Sequence, residues 1–246
     1  MRFLAASFTL LIASPALAGD GTSPAAVFER FDADCQRDDG AMWGVSLCGP
    51  VLLFNKDTGE VFAMQSDADG LLKKGDDDLW HAAPGADNLP PDANTSAIWG
   101  GTGWAVVRYN NSLPVQAYSR LALHESFHRI QPDLPFADTS GTDSAPHLDD
   151  AIGRLWLRLE LRAAAAALAS DNERDFRTAF ADAVLFSRWR QSQIEGASAI
   201  ERSLEMHEGI AEYTGWRLAG EPDAGIADFL RDQEKQDSFP PPFAYA

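Results

Sequence analysis

The chain has 246 residues, 45% of them hydrophobic and 23% charged, with a formal net charge of -17. That length and composition suit one large domain or two small lobes and argue against a disordered or collagen-like chain. The acidic excess also argues against a binder of nucleic acid or of anionic membrane surfaces, since both need clustered positive charge.

Residues 1–18 read as a signal peptide. Met1-Arg2 supplies a positive charge, Phe3 to Ala13 is an apolar core, and Ala16-Leu17-Ala18 has the small-x-small pattern of a cleavage site. The apolar run is too short to span a bilayer, and no later segment is long and apolar enough to do so. The expectation is an exported protein, periplasmic or extracellular, with no integral membrane segment once the signal is removed. An oxidising compartment makes Cys35 and Cys48 a disulfide candidate, whose short loop would contribute on the order of 3 kcal/mol.

From Ala41 to about Tyr109 the pattern favours strands. Val51 to Phe54 and Glu60 to Met64 flank Asn55-Lys56-Asp57-Thr58-Gly59 and predict a β-hairpin. Ile98-Trp99 and Trp104 to Val107 flank Gly100-Gly101 and predict a second strand pair. Ser66 to Asn94, rich in Asp, Gly and Pro, reads as loop. Its acidic clusters, Asp67 to Gly70 and Asp76 to Asp78, lack the spacing and distal Glu of an EF-hand and read as solvated turns.

Helical periodicity begins at Pro114. A first helix carries Leu123, Phe127 and Ile130 and stops at Pro132. A second, about Asp149 to Ala169, places Ile152, Leu155, Trp156, Leu159 and Ala163 on one apolar stripe. A third, about Asn172 to Gln193, repeats this with Phe176, Phe180, Ala183 and Val184. The last clear helix, about Ser198 to Leu218, aligns Met206, Ile210, Tyr213 and Arg217. Strands followed by helices predict an α+β fold. The expected division is residues 19–132 as a β-rich lobe ending in the first helix, and residues 133–246 as a helical lobe.

The first helix contains His124-Glu125-Ser126-Phe127-His128, an HExxH motif. Residues four apart share a helix face, so both imidazoles can reach one metal ion while Glu125 flanks it. Zinc brings the pKa of a bound water toward neutrality, and a neighbouring carboxylate can take its proton as it attacks a carbonyl. A catalytic zinc site needs a third protein ligand, for which the last helix offers His207, Glu208 and Glu212.

HExxH followed by Glu208-Gly209-Ile210-Ala211-Glu212-Tyr213 resembles the gluzincin metallopeptidases, in which a Glu from a later helix completes the zinc site. The resemblance implies a zincin-like fold, one Zn2+ ion held by His124, His128 and Glu208, and Glu125 as general base. It also implies that Glu212, one turn beyond Glu208, hydrogen-bonds a zinc histidine. The longer pattern LxxHESFHRIQ, HLDxxxGRxWLRLE and EGxAEYTG is similar to a group of secreted bacterial HExxH proteins. His207 is the rival third ligand, although its neighbour Glu208 points about 100° away on an ideal helix, so both cannot ligate comfortably. Tyr213 is read either as an oxyanion donor or as a core aromatic, and His147 as a capping or packing residue. Arg154, Arg158, Glu160 and Arg162 are read as i,i+4 pairs on a helix face.

The expected activity is metallopeptidase-like hydrolysis of a peptide or protein substrate, with an upstream strand edge presenting the extended chain. The alternatives are a non-catalytic zinc-stabilised binding or inhibitory module and an inactive, truncated peptidase remnant. Oligomeric state is not legible in the sequence.

Overall fold

The computed structural model describes residues 22–83, 85–135, 145–148 and 150–235. The expected signal peptide lies outside them. The chain is mixed α+β, with a small sheet in its N-terminal half and a helical C-terminal portion. Among the described residues no helix is long and apolar enough to cross a membrane.

The first element, α1 (Pro24–Asp38), was not anticipated, although its start is written in the sequence. Ser23 caps it by accepting from the Ala26 N–H, and Pro24 takes the first turn, where a missing N–H costs nothing. The strands β1 (Val51–Asn55) and β2 (Glu60–Ala63) form the expected hairpin, and β5 (Thr95–Trp99) and β6 (Thr102–Arg108) the expected second pair. Two short strands, β3 (Leu72–Lys74) and β4 (Trp80–Ala82), interrupt the stretch read as loop. The sheet order is β3-β4-β2-β1-β6-β5, with β1 parallel to β6 and the other pairs antiparallel.

Asp67 holds the turn that makes β3 possible. It is buried, and its carboxylate accepts from the Leu71 and Leu72 N–H groups at 2.8 and 2.7 Å. The solvated-turn reading is therefore corrected here. Asp76 to Asp78 do lie on exposed turns, where Asp77 meets His81 and Asp78 meets Lys74.

Strand alternation sorts the sheet's side chains onto two faces. Val51, Leu53, Ala105 and Val107 join the main core beneath α1 and α2 (Val115–Ile130), with Phe28, Phe31, Leu123 and Phe127. Leu52, Phe54, Trp104 and Val106 bury the opposite face with Trp99 and Leu72. A disulfide joins Cys35 of α1 to Cys48, their Cα atoms 5.3 Å apart, and pins the segment leading into β1. The buried carboxylate of Asp34 ties α1 to α2 by accepting from Ser119 Oγ at 2.8 Å, with Arg30 and Arg37 as its cationic partners.

The helical portion comprises α3 (Ala151–Leu168), α4 (Glu173–Gln193), α5 (Ala197–Leu204), α6 (Ile210–Leu218) and α7 (Asp223–Lys235). The helix α7 was also not anticipated; it packs on α3. A single π-helical turn, Glu205–Gly209, joins α5 to α6, so the expected long helix is present but widened at its middle. On α3 the expected apolar stripe is not the buried one. Ile152 and Leu155 are about half exposed, whereas Gly153, Leu157, Leu161 and Ala165 are buried. Gly153 is required there because a Cβ would stand 1.9 Å from the His147 carbonyl oxygen. On α4 only Ala183 of the four expected core residues is buried, and Phe176, Phe180 and Val184 are exposed.

The i,i+4 reading of Glu160 and Arg162 is corrected too, since both pair between helices. Arg162 bonds Glu234 of α7 at 2.6 Å, and Glu160 bonds Arg190 of α4. Arg190 is fully buried and also grips both oxygens of the buried Glu201 at 2.8 and 2.9 Å. His147 joins the same carboxylate at 2.7 Å, which makes it a packing residue of this network.

Candidate metal centre

The HExxH segment occupies a helix with almost no free surface. Tyr118, Ser119, Ala122, Leu123, His124, Glu125, Ser126, Phe127 and Ile130 of α2 are all buried. Apolar side chains fix α2 against the sheet and α1, and its polar residues face α6. Gly215 allows α6 to come close, because a Cβ there would stand 2.8 Å from the Arg120 carbonyl oxygen and 3.5 Å from the His124 Cβ.

His124 Nε2, His128 Nε2 and Glu208 Oε2 converge to a triangle with edges of 3.1, 3.3 and 3.4 Å. They are the only set of three or more His, Cys, Asp or Glu among the described residues placed to hold one ion. Around an ion with bonds of 2.0 to 2.1 Å, tetrahedral ligand atoms stand roughly 3.3 to 3.4 Å apart. The donor set, two imidazole nitrogens and one carboxylate oxygen, therefore fits a metal ion in both type and size.

Each imidazole is held from behind. His124 Nδ1 donates to Glu212 Oε2 at 2.8 Å, and the other Glu212 oxygen accepts from Arg120 and, at 2.8 Å, from the Trp216 indole. Arg120 lies over the Trp216 ring, 4.3 Å from its centroid. His128 Nδ1 meets Gln131 Oε1 at 2.9 Å. Such contacts orient the rings and leave both Nε2 atoms facing Glu208. Glu125 Oε1 stands 4.0 Å from His124 Nε2, beside the triangle and outside it.

The electrostatics show how much negative charge is gathered. Burial raises the pKa of Glu125 above the usual carboxylate value, an effect the two histidines only partly offset. At His124 burial disfavours the imidazolium, yet hydrogen bonds to Glu208 and Glu212 prevail and push its pKa up to about 10. Burial also works against ionised Glu208 and Glu212, but hydrogen bonds from the histidines, and for Glu212 Arg120 as well, hold both below the ordinary value. Without a metal ion a proton on His124 supplies positive charge to this cluster.

The π turn sets the third donor. Ile210 N–H reaches back to the Glu205 carbonyl, and the widened turn carries His207 and Glu208 toward α2. His207 does not offer a fourth ligand atom. Its Nδ1 lies 3.1 Å from Glu208 Oε1, the carboxylate oxygen turned away from the triangle, and its ring packs 4.8 Å from that of His128. Tyr213 is half exposed, which corrects its reading as a core aromatic, and among the described residues its hydroxyl makes no hydrogen bond to the cluster.

Sequence reasoning missed Arg120 and Gln131. Both were within reach of the helical spacing that revealed the histidines, because Arg120 precedes His124 by one turn and Gln131 follows His128 by three residues. No family model, curated protein or solved structure matches this chain.

Proposed function

We propose that this chain is a zinc-dependent hydrolase of gluzincin type, zincin-like in fold, exported from the cytoplasm and acting on peptide bonds. The observation that carries the reading is the triangle of His124, His128 and Glu208 with a buried carboxylate, Glu125, beside it and, among the described residues, no fourth protein ligand atom. Two imidazoles and one carboxylate favour zinc among the common divalent ions, and three ligands rather than four suit a catalytic site over a closed structural one. The disulfide is consistent with export.

Zinc bound here would polarise the scissile carbonyl and lower the pKa of water at its open position. Glu125 Oε1 takes a proton from the attacking water as its oxygen bonds to the carbonyl carbon. The same carboxyl then delivers that proton to the amine nitrogen as the carbon–nitrogen bond breaks. Glu212 and Arg120 hold the His124 ring still through this cycle. His207 keeps one Glu208 oxygen occupied, so that the carboxylate presents only the other.

Zinc-loaded protein and its Glu125→Gln variant, assayed on a mixture of unstructured peptides, test this reading. The variant is expected to retain zinc and lose roughly 10²- to 10⁴-fold in hydrolysis rate, the usual contribution of a positioned base. Equal hydrolysis by both proteins would end it.

A further inference from the structure

We propose that Gln131 is the positioning residue for His128, and that it also sets His128 in register with Glu208 by clamping the π turn. This rests on the metal-centre reading given above. Gln131 opens the 3-10 turn that follows α2, and only 2% of its surface is exposed. Its amide nitrogen lies 2.9 Å from the Met206 carbonyl oxygen and 3.2 Å from that of His207. Carbonyl oxygens only accept, so the NH2 group must face them and Oε1 must face His128.

The orientation of one ring follows. An amide oxygen is an acceptor, so His128 Nδ1, 2.9 Å away, must carry the proton. That leaves Nε2 as the nitrogen with which His128 would bind a metal ion, and it is the atom that faces Glu208 Oε2 at 3.3 Å. The Nδ1 of His124 is held by an ionic partner, Glu212, whereas that of His128 is held by a neutral amide.

The clamp has a second end. In the π turn the Ile210 N–H bonds the Glu205 carbonyl five residues back, which displaces the hydrogen-bonding pattern by one residue. Gln131 donates to the carbonyls of Met206 and His207, the residues immediately before Glu208. One buried side chain thus fixes the ring of the second ligand and the backbone that carries the third. Burial keeps water from replacing either hydrogen bond.

Gln131→Met and Gln131→Glu, each compared with wild type, test the inference. Methionine keeps the side chain's length and loses every hydrogen bond; glutamate keeps the acceptor for His128 and loses the donors to the turn. The readouts are zinc affinity by chelator competition, exchange of the imidazole Nδ1 protons by NMR, and the unfolding midpoint of the metal-free proteins. Gln131→Met is expected to weaken zinc binding by about 10- to 100-fold, as loss of a ligand-orienting partner commonly does. It should release the His128 Nδ1 proton to fast exchange while the His124 proton, still held by Glu212, stays slow. Gln131→Glu should restore the slow His128 proton but not the full affinity. Unchanged zinc affinity in Gln131→Met, or both ring protons accelerating together, would overturn the proposal. Wild type that binds no zinc would instead refute the metal-centre reading. In that case the His128 proton still decides Gln131's role, for or against.

Discussion

Two buried clusters of carboxylates sit in different parts of this molecule and solve their charge in different ways. Between α3, α4 and α5, Glu160 and Glu201 surround Arg190, whose guanidinium meets both, and Gln191 and His147 also bond Glu201. The cation that balances this cluster is part of the chain itself, and it bonds both carboxylates directly. Between α2 and α6, Glu125, Glu208 and Glu212 share one guanidinium, Arg120, which touches only Glu212. There the imidazoles direct their Nε2 atoms at a carboxylate oxygen. The first cluster carries its own cation in Arg190, whereas the second gathers donor atoms around one point and calls for one.

Arg190→Met gives the largest expected effect and tests the first half of the contrast. It leaves two buried carboxylates without their cation, and urea unfolding should show a loss of about 3 to 5 kcal/mol. Zinc affinity should stay within a few-fold of wild type, since no contact of Arg190 reaches the triangle among its described bonds. A collapse of zinc binding in this variant would mean that the two clusters behave as one unit.

Glu212→Gln tests the second half. Zinc affinity should fall about 10- to 100-fold, or roughly 1.4 to 2.7 kcal/mol, by chelator competition. Gly215→Ala asks whether the helix crossing itself matters. The added methyl would press on the Arg120 carbonyl, so urea unfolding should show a loss of about 1 to 3 kcal/mol and zinc should bind more weakly.

Asp67→Asn gives the smallest effect and extends the comparison to a carboxylate satisfied by backbone. Burial alone would raise the pKa of Asp67, but the Leu72 and Leu71 N–H groups outweigh it and hold the value below normal. A folded-state pKa below the unfolded one stabilises above the unfolded value and is lost as pH falls through the folded one. The variant should therefore be less stable than wild type by about 1 kcal/mol at neutral pH. The gap should close in strong acid, by urea unfolding at both pH values.

The motif on α2 was legible because two histidines at i,i+4 need only helical period to meet. The hairpin β1–β2 was legible for a similarly local reason, apolar runs on either side of a Gly-containing turn. The short strands β3 and β4 were not, because three-residue strands exist only through pairing and through Asp67's hold on the preceding turn. On α3 the period was right and the face wrong. Ile152, Leu155, Leu157 and Leu161 leave the helix apolar on more than one side, and the close approach at Gly153 selects the buried one. The π turn is a tertiary feature, yet it determines that Glu208 meets the histidines while His207 turns to the far carboxylate oxygen. Gln131 and Arg120 were in view by spacing but carried no motif of their own.

The central claim is that the atoms converging between α2 and α6 hold one zinc ion. Titration of zinc into the metal-free wild type and into Glu208→Gln tests it most directly. The account predicts one ion per chain in the wild type and an affinity lower by at least about 100-fold in the variant, a loss at the top of the range for removing a ligand's partner. No zinc in the wild type, or equal stoichiometry and affinity in the two proteins, would contradict it.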